Sequence, residues 1–132
     1  MTARRRRGRV YLKGRARRKR QAGEMNGHER AFAESYIIPH ERAGQIETWG
    51  FERVKLKLAD NTTLTPDFDI VWAETGEWVF YDVKANWGGK PHIEEDAWVK
   101  MKVCAEQYGM RLVVVYPTDK SKSRWEHKIV GE

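Results

Sequence analysis

The chain has 132 residues, 40% of them hydrophobic and 33% charged, with one cysteine and a formal net charge of +6. That length suits one domain, since two cores would each be too small to stand without staples, and Cys104 alone excludes an internal disulfide or a zinc site of several thiolates. No apolar run approaches the roughly 20 residues that span a bilayer and the start lacks an apolar signal core, so a soluble, cytoplasmic protein is expected.

The charge is unevenly placed. Eleven of the 25 basic residues fall within the first 20 positions, which hold no acid. Among them are Arg4, Arg5, Arg6, Arg7, Arg15, Arg17, Arg18, Lys19 and Arg20. The rest of the chain carries 14 basic against 19 acidic residues. A like-charged run this dense cannot collapse on itself, so the expected division is a flexible arm over 1–22 and a folded domain over 23–132. The arm suits a polyanion, because each Lys or Arg set against a phosphate releases a condensed counterion and guanidinium fits phosphate geometry. A solubility tail or localisation signal is the plainer alternative.

Residues 26–44 read as helical, with Asn26 as N-cap and Gly44 as stop. Pro39 is expected to end the helix near Ile38, with a short turn after it. At 100° per residue Phe32 and Tyr36 share a side, Glu29 lies beside them facing the protein body, and Glu34 faces water. Three extended stretches follow: Ile46–Leu58, Leu64–Ala73 and Trp78–Lys84, joined by short turns and expected to form an antiparallel meander. A loop, Ala85–His92, leads to a helix over Ile93–Tyr108. Its core-facing stripe is Ile93, Ala97, Trp98, Met101, Cys104, Ala105 and Tyr108, and Gly109 caps it. Arg111–Tyr116 fits a buried strand reached by a crossover, and Trp125–Val130 an edge strand. The order predicts a small α/β fold.

On the strand Trp78–Lys84, the side chains of Trp78, Phe80, Asp82 and Lys84 share one face. The neighbouring stretch presents Asp67 and Asp69, also two apart. A hairpin joining the stretches sets Asp67 near Asp82. Two carboxylates pressed together raise each other's pKa, and a divalent cation relieves them. Oxygen donors without a Cys or His cluster favour magnesium or manganese over zinc. The plainer alternative is a hairpin with a surface Asp–Lys ion pair. Trp78 and Trp98 are expected in the core, whereas Trp87, in a loop, is available to stack on an unpaired base and the nearby His92 to touch DNA.

Pro66-Asp67, a gap of fourteen residues, then Asp82-Val83-Lys84 resembles the PD-(D/E)XK motif of the restriction-endonuclease-like nuclease superfamily. Gly27-His28-Glu29-Arg30, opening a helix, resembles that superfamily's helix-borne glutamate. The likeness is greatest to small phage-encoded endonucleases and Holliday-junction-resolvase-like proteins, and it covers about residues 25–116. It implies a restriction-endonuclease-like α/β core with a central mixed sheet of four to five strands flanked by helices. It also implies a Mg2+- or Mn2+-dependent DNA endonuclease of phage origin, acting in recombination on double-stranded or branched DNA as a homodimer. Asp67, Asp82, the Val83 carbonyl and Glu29 would hold the metal, with Asp69 a rival to Asp67. Lys84 would sit at the scissile phosphate, Lys100 on the following helix would assist, and Lys90 together with the arm would contact DNA. A non-catalytic nucleic-acid-binding or scaffolding protein that keeps the fold is the competing expectation.

Overall fold

In a computed structural model, which describes residues 23–131, the chain enters its first helix at Asn26. The expected arm over 1–22 lies outside the described residues. The Asn26 side chain accepts the Glu29 amide at 2.8 Å, and Glu29 Oε1 accepts the Asn26 amide at 2.9 Å. This reciprocal pair satisfies two N–H groups that a helix start leaves without partners. Helix α1 (Gly27–Phe32) runs into a π-helical turn, Ala33–Ile37, and then into α2 (Ile38–Arg42).

The helix therefore passes Pro39 instead of ending near Ile38. The amide of Ile38 reaches back to the Ala33 carbonyl, a five-residue span. Pro39 thus enters at the first turn of α2, where its missing N–H costs little, and the wider turn before it takes up the misfit.

Strand β1 is Ile46–Phe51, followed by β2 (Leu56–Ala59), β3 (Thr62–Leu64), β4 (Phe68–Trp72) and β5 (Trp78–Val83). Two short strands, β6 (Asn86–Trp87) and β7 (Lys90–Pro91), precede helix α3 (Glu95–Tyr108), after which come β8 (Arg111–Pro117) and β9 (Trp125–Ile129). The fold is α/β, with a five-stranded mixed sheet in the order β1-β4-β5-β8-β9. Among the described residues, only β5 and β8 pair in parallel. Parallel neighbours need a long connection, and α3 provides it.

The expected meander holds for β1, β4 and β5, but the stretch Ile46–Leu58 is not one strand. It breaks after Phe51, and its alternating second half pairs with β3 in a separate hairpin. Val54 and Leu64 turn inward against a core of Phe80, Met101, Leu112, Val114 and Val130, which α3 covers with Trp98 and Ala105. The opposite sheet face buries Phe68, Ile70, Val79, Tyr81, Val113 and Val115 beneath Phe32, Ala33 and Ile37 of the N-terminal helical segment. Alternating residues of β5 and β8 thus feed two cores, as expected where both faces of a strand are covered.

Two core expectations fail at the periphery. Trp78, 49% exposed at the start of β5, lays its ring against Phe80 and donates its Nε1 proton to Asp69 at 2.8 Å. Tyr108 is exposed too, and its hydroxyl donates to the Lys57 carbonyl at 2.6 Å, tying the end of α3 to β2. Among the described residues no helix is long and apolar enough to cross a membrane.

Candidate active site

The antiparallel register pairs Phe68 with Tyr81 and Asp69 with Phe80, which sets Asp67, just before β4, across from Asp82 near the end of β5. The Val83 amide donates to Asp67 Oδ2 at 2.8 Å. One turn of α1 brings Glu29, 5% exposed, to the same end of the sheet. The sheet therefore gathers carboxylates at the end of β5, where the parallel pair β5–β8 also finishes.

A residue outside the expected set joins them. Carboxylate oxygens of Glu29, Glu52 and Asp67 all lie within 4.8 Å of one another. Glu52 follows the last residue of β1 with a φ of 51°, a left-handed conformation that costs a non-glycine residue about 1 kcal/mol. Its amide donates to the Asp67 carbonyl at 2.9 Å, which fixes the turn.

Asp82 and Lys84 meet in an ion pair, Nζ to Oδ2 2.9 Å, beside this triad. Lys84 is further held by its amide, which donates to the Val115 carbonyl at 2.9 Å. Burial pushes the Asp67 carboxyl well above its usual range, and the negative charges of Asp82 and Glu29 push it further. The Val83 amide and the Lys84 ammonium oppose that rise without cancelling it. For Lys84, burial disfavours the ammonium, but Asp82, then Asp67 and Glu29, outweigh it and raise its pKa. The lysine is thus kept charged among acids.

The rival ligand Asp69 is committed elsewhere. Buried within β4, it accepts Arg53 Nε at 2.9 Å, Arg53 Nη2 at 2.9 Å and the Trp78 indole at 2.8 Å. A side chain at Gly50 would occupy the space of the Arg53 Cδ and Nε atoms, so glycine there lets the guanidinium lie over the strand. Arg53→Ala would leave a buried carboxylate with the indole as its remaining side-chain donor. We expect a loss of roughly 2–3 kcal/mol, below the full cost of a broken buried pair, measured by urea unfolding.

Of the expected ligands the structure clusters Glu29 and Asp67 and adds Glu52, whereas Asp82 stands beside that triad in its pair with Lys84, and Val83 meets Asp67 through its amide. The structure does not draw in Lys100, which sits half-buried on α3 in no ion pair among the described residues. Lys90 is exposed on β7, while Arg4 to Arg20 of the arm lie outside the described residues. Glu52 carried no sequence signal: it precedes an arginine in a stretch that reads as strand, and its place depends on a turn imposed by distant Asp67.

The triad fits a hard divalent cation in kind, and its oxygens, within 4.8 Å of one another, would draw in to the roughly 3–4.2 Å that separates the ligands of a magnesium ion. The raised Asp67 pKa, due first to burial and then to the charges of Asp82 and Glu29, marks the electrostatic condition that such an ion relieves. No family model matches the chain, and no curated protein matches it.

Proposed function

We propose that this chain is a magnesium- or manganese-dependent DNA endonuclease with a restriction-endonuclease-like core. The observation that carries the reading is the convergence of Glu29, Glu52 and Asp67 within a cation's reach, with Asp82 and a charged Lys84 alongside. A bound divalent ion would supply a Lewis acid for the phosphoryl oxygen and a water of lowered pKa. Glu29, Glu52 and Asp67 would hold it, and Asp82 and the Val83 carbonyl complete the oxygen set on the family pattern.

The protein's own groups then have separate tasks. Lys84, kept protonated by its acidic neighbours, stabilises the charge that grows on the phosphate oxygens, and Asp82 aims it. The Val83 amide holds the Asp67 carboxylate, and the Lys84 amide ties that residue to β8, so both are positioned before substrate arrives. The basic arm supplies attraction for DNA, which the acidic body would otherwise repel.

One observation favours a second reading, a nucleic-acid-binding module without catalysis. Glu29 caps its helix and Asp82 pairs with Lys84, so each has a structural partner. A cleavage panel of linear, nicked, flapped, single-stranded and four-way DNA, with magnesium and with EDTA, separates the two. We expect cleavage that EDTA abolishes, and that Asp82→Ala removes while DNA affinity stays or rises. Cleavage that survives chelation would defeat the metal reading, and no cleavage on any substrate would favour the binding module.

A further inference from the structure

Residues that adjoin the carboxylate site in the chain line an open cleft of about 460 Å³, a volume within the range of small-ligand sites. Its walls continue directly from the site: His28 precedes Glu29, and Asn86 and Trp87 follow shortly after Lys84. The opposite wall is the loop after β8, which presents Lys120 and Lys122.

Neither wall is a loose loop. The hairpin of β6 and β7 pairs Trp87 with Lys90, and Asn86 Oδ1 accepts the Gly89 amide at 2.8 Å within its turn. Asn86 Nδ2 donates to the Pro117 carbonyl at 2.8 Å, fastening this hairpin to the loop opposite. In that loop the Asp119 carboxylate accepts the Ser121 and Ser123 hydroxyls at 2.6 and 2.7 Å and the Ser123 and Arg124 amides at 3.0 and 3.1 Å. Its charge is therefore used inside the loop. Lys122 is held in a left-handed turn, φ 57°, by its amide on the Asp119 carbonyl, and its own carbonyl accepts the Ser35 hydroxyl.

The aromatic surface is equally defined. Trp87 stacks on His92, centroids 3.7 Å apart and planes 13° from parallel, yet stays 64% exposed. One ring face is backed by the imidazole, which leaves the other open to a planar group. A cleft lined by an exposed aromatic ring and by two lysines matches a nucleotide: a base to stack and a phosphate to neutralise. A base inside a duplex cannot offer its face, so the nucleotide must be unpaired.

We propose that this cleft binds one unpaired nucleotide of the nucleic-acid substrate, its base stacked on Trp87 and its phosphates against Lys120 and Lys122. The inference rests on the nuclease reading for its placement next to the scissile bond, and it makes the chain selective for strands with an unstacked nucleotide near the cut.

The test uses the full chain in EDTA, so that binding is read without cleavage. The probes are a duplex with one unpaired 2-aminopurine and the fully paired duplex of the same length. Wild type should prefer the unpaired probe and change its fluorescence. Trp87→Ala should weaken binding to it by about fivefold or more and leave the paired duplex unchanged, whereas Trp87→Phe retains most of the preference. Replacing Lys120 and Lys122 together with Ala should lower the salt slope of binding by about two. Trp87 is exposed, so its loss does not open the core, and an unchanged melting temperature confirms this. Equal losses on both duplexes, or no preference in wild type, would overturn the inference. A chain that never cuts with magnesium but shows the Trp87-dependent preference overturns the nuclease reading alone. A chain that cuts, with a preference indifferent to Trp87, overturns this inference alone.

Discussion

Asp67→Asn is expected to abolish magnesium-dependent cleavage and, in metal-free protein, to raise the melting temperature. The two effects share one cause. Asp67 is held among Asp82 and Glu29 at the cost of its own ionisation, since burial first and these two charges next lift its pKa. Asparagine keeps an oxygen for the Val83 amide and removes the charge. Cleavage should fall about 10³-fold or more, the rate equivalent of ~4 kcal/mol, because the proposed function makes Asp67 a metal ligand.

The stability gain has a definite pH dependence. With a folded pKa above the unfolded value of 3.8, Asp67 binds more protons in the native state than in the unfolded chain. Stability from this group is therefore lost as pH rises from the ordinary carboxylate range through the raised value, and stays lost above it. The melting temperature of Asp67→Asn in EDTA should match wild type in acid and exceed it by several degrees at neutral pH. In wild type, saturating magnesium should narrow that gap, since a ligand that binds only the folded state adds about 2.7 kcal/mol at a hundred times its Kd. Calorimetry across pH 4–8 reads all of this, and a gap independent of pH would contradict the account.

Phe32→Ala is expected to produce the largest loss of stability. Phe32 is fully buried and its ring lies 4.9 Å from Tyr36, 5.1 Å from Trp125, 5.7 Å from Phe68 and 5.9 Å from Tyr81. It joins the helical layer to three strands of the sheet. Truncation to alanine should cost about 3–5 kcal/mol, a large share of the 5–15 kcal/mol typical of a domain. The melting temperature should drop by about 15 °C or more. Phe32→Leu, closer in volume, should cost about 1.5 kcal/mol. Because Glu29 stands one helical turn earlier, cleavage should fall with the fraction folded, which urea unfolding and activity measured side by side would establish.

What could be read from the sequence was whatever depends on short-range periodicity. Alternation in Trp78–Lys84 put Asp82 and Lys84 on one face, and the turn at Glu74–Glu77 implied the hairpin that sets Asp67 across from them. Asn26 and Gly109 marked helix ends by local chemistry alone. The misreadings arose where a distant partner decides the backbone. Val54–Leu58 alternates as a strand should, but nothing local tells that its partner is β3 and not the central sheet. Pro39 ordinarily ends a helix, and only the π-helical turn lets the chain continue. Trp78 is apolar enough for a core, yet its indole N–H has a buried acceptor in Asp69 that draws it to the rim. Glu52 is the clearest case, since its left-handed backbone is set by a hydrogen bond to a residue fifteen positions later.

The parallel pairing of β5 with β8 has a consequence for how the protein is made. Twenty-seven residues separate Val83 from Arg111, so during synthesis β5 leaves the ribosome well before its neighbour exists. Until Arg111–Pro117 emerges, the β4–β5 hairpin presents an unpaired, apolar backbone edge to other nascent chains. A chain stopped short of Arg111 would keep that edge permanently, an aggregation hazard that the finished protein conceals at the centre of its sheet.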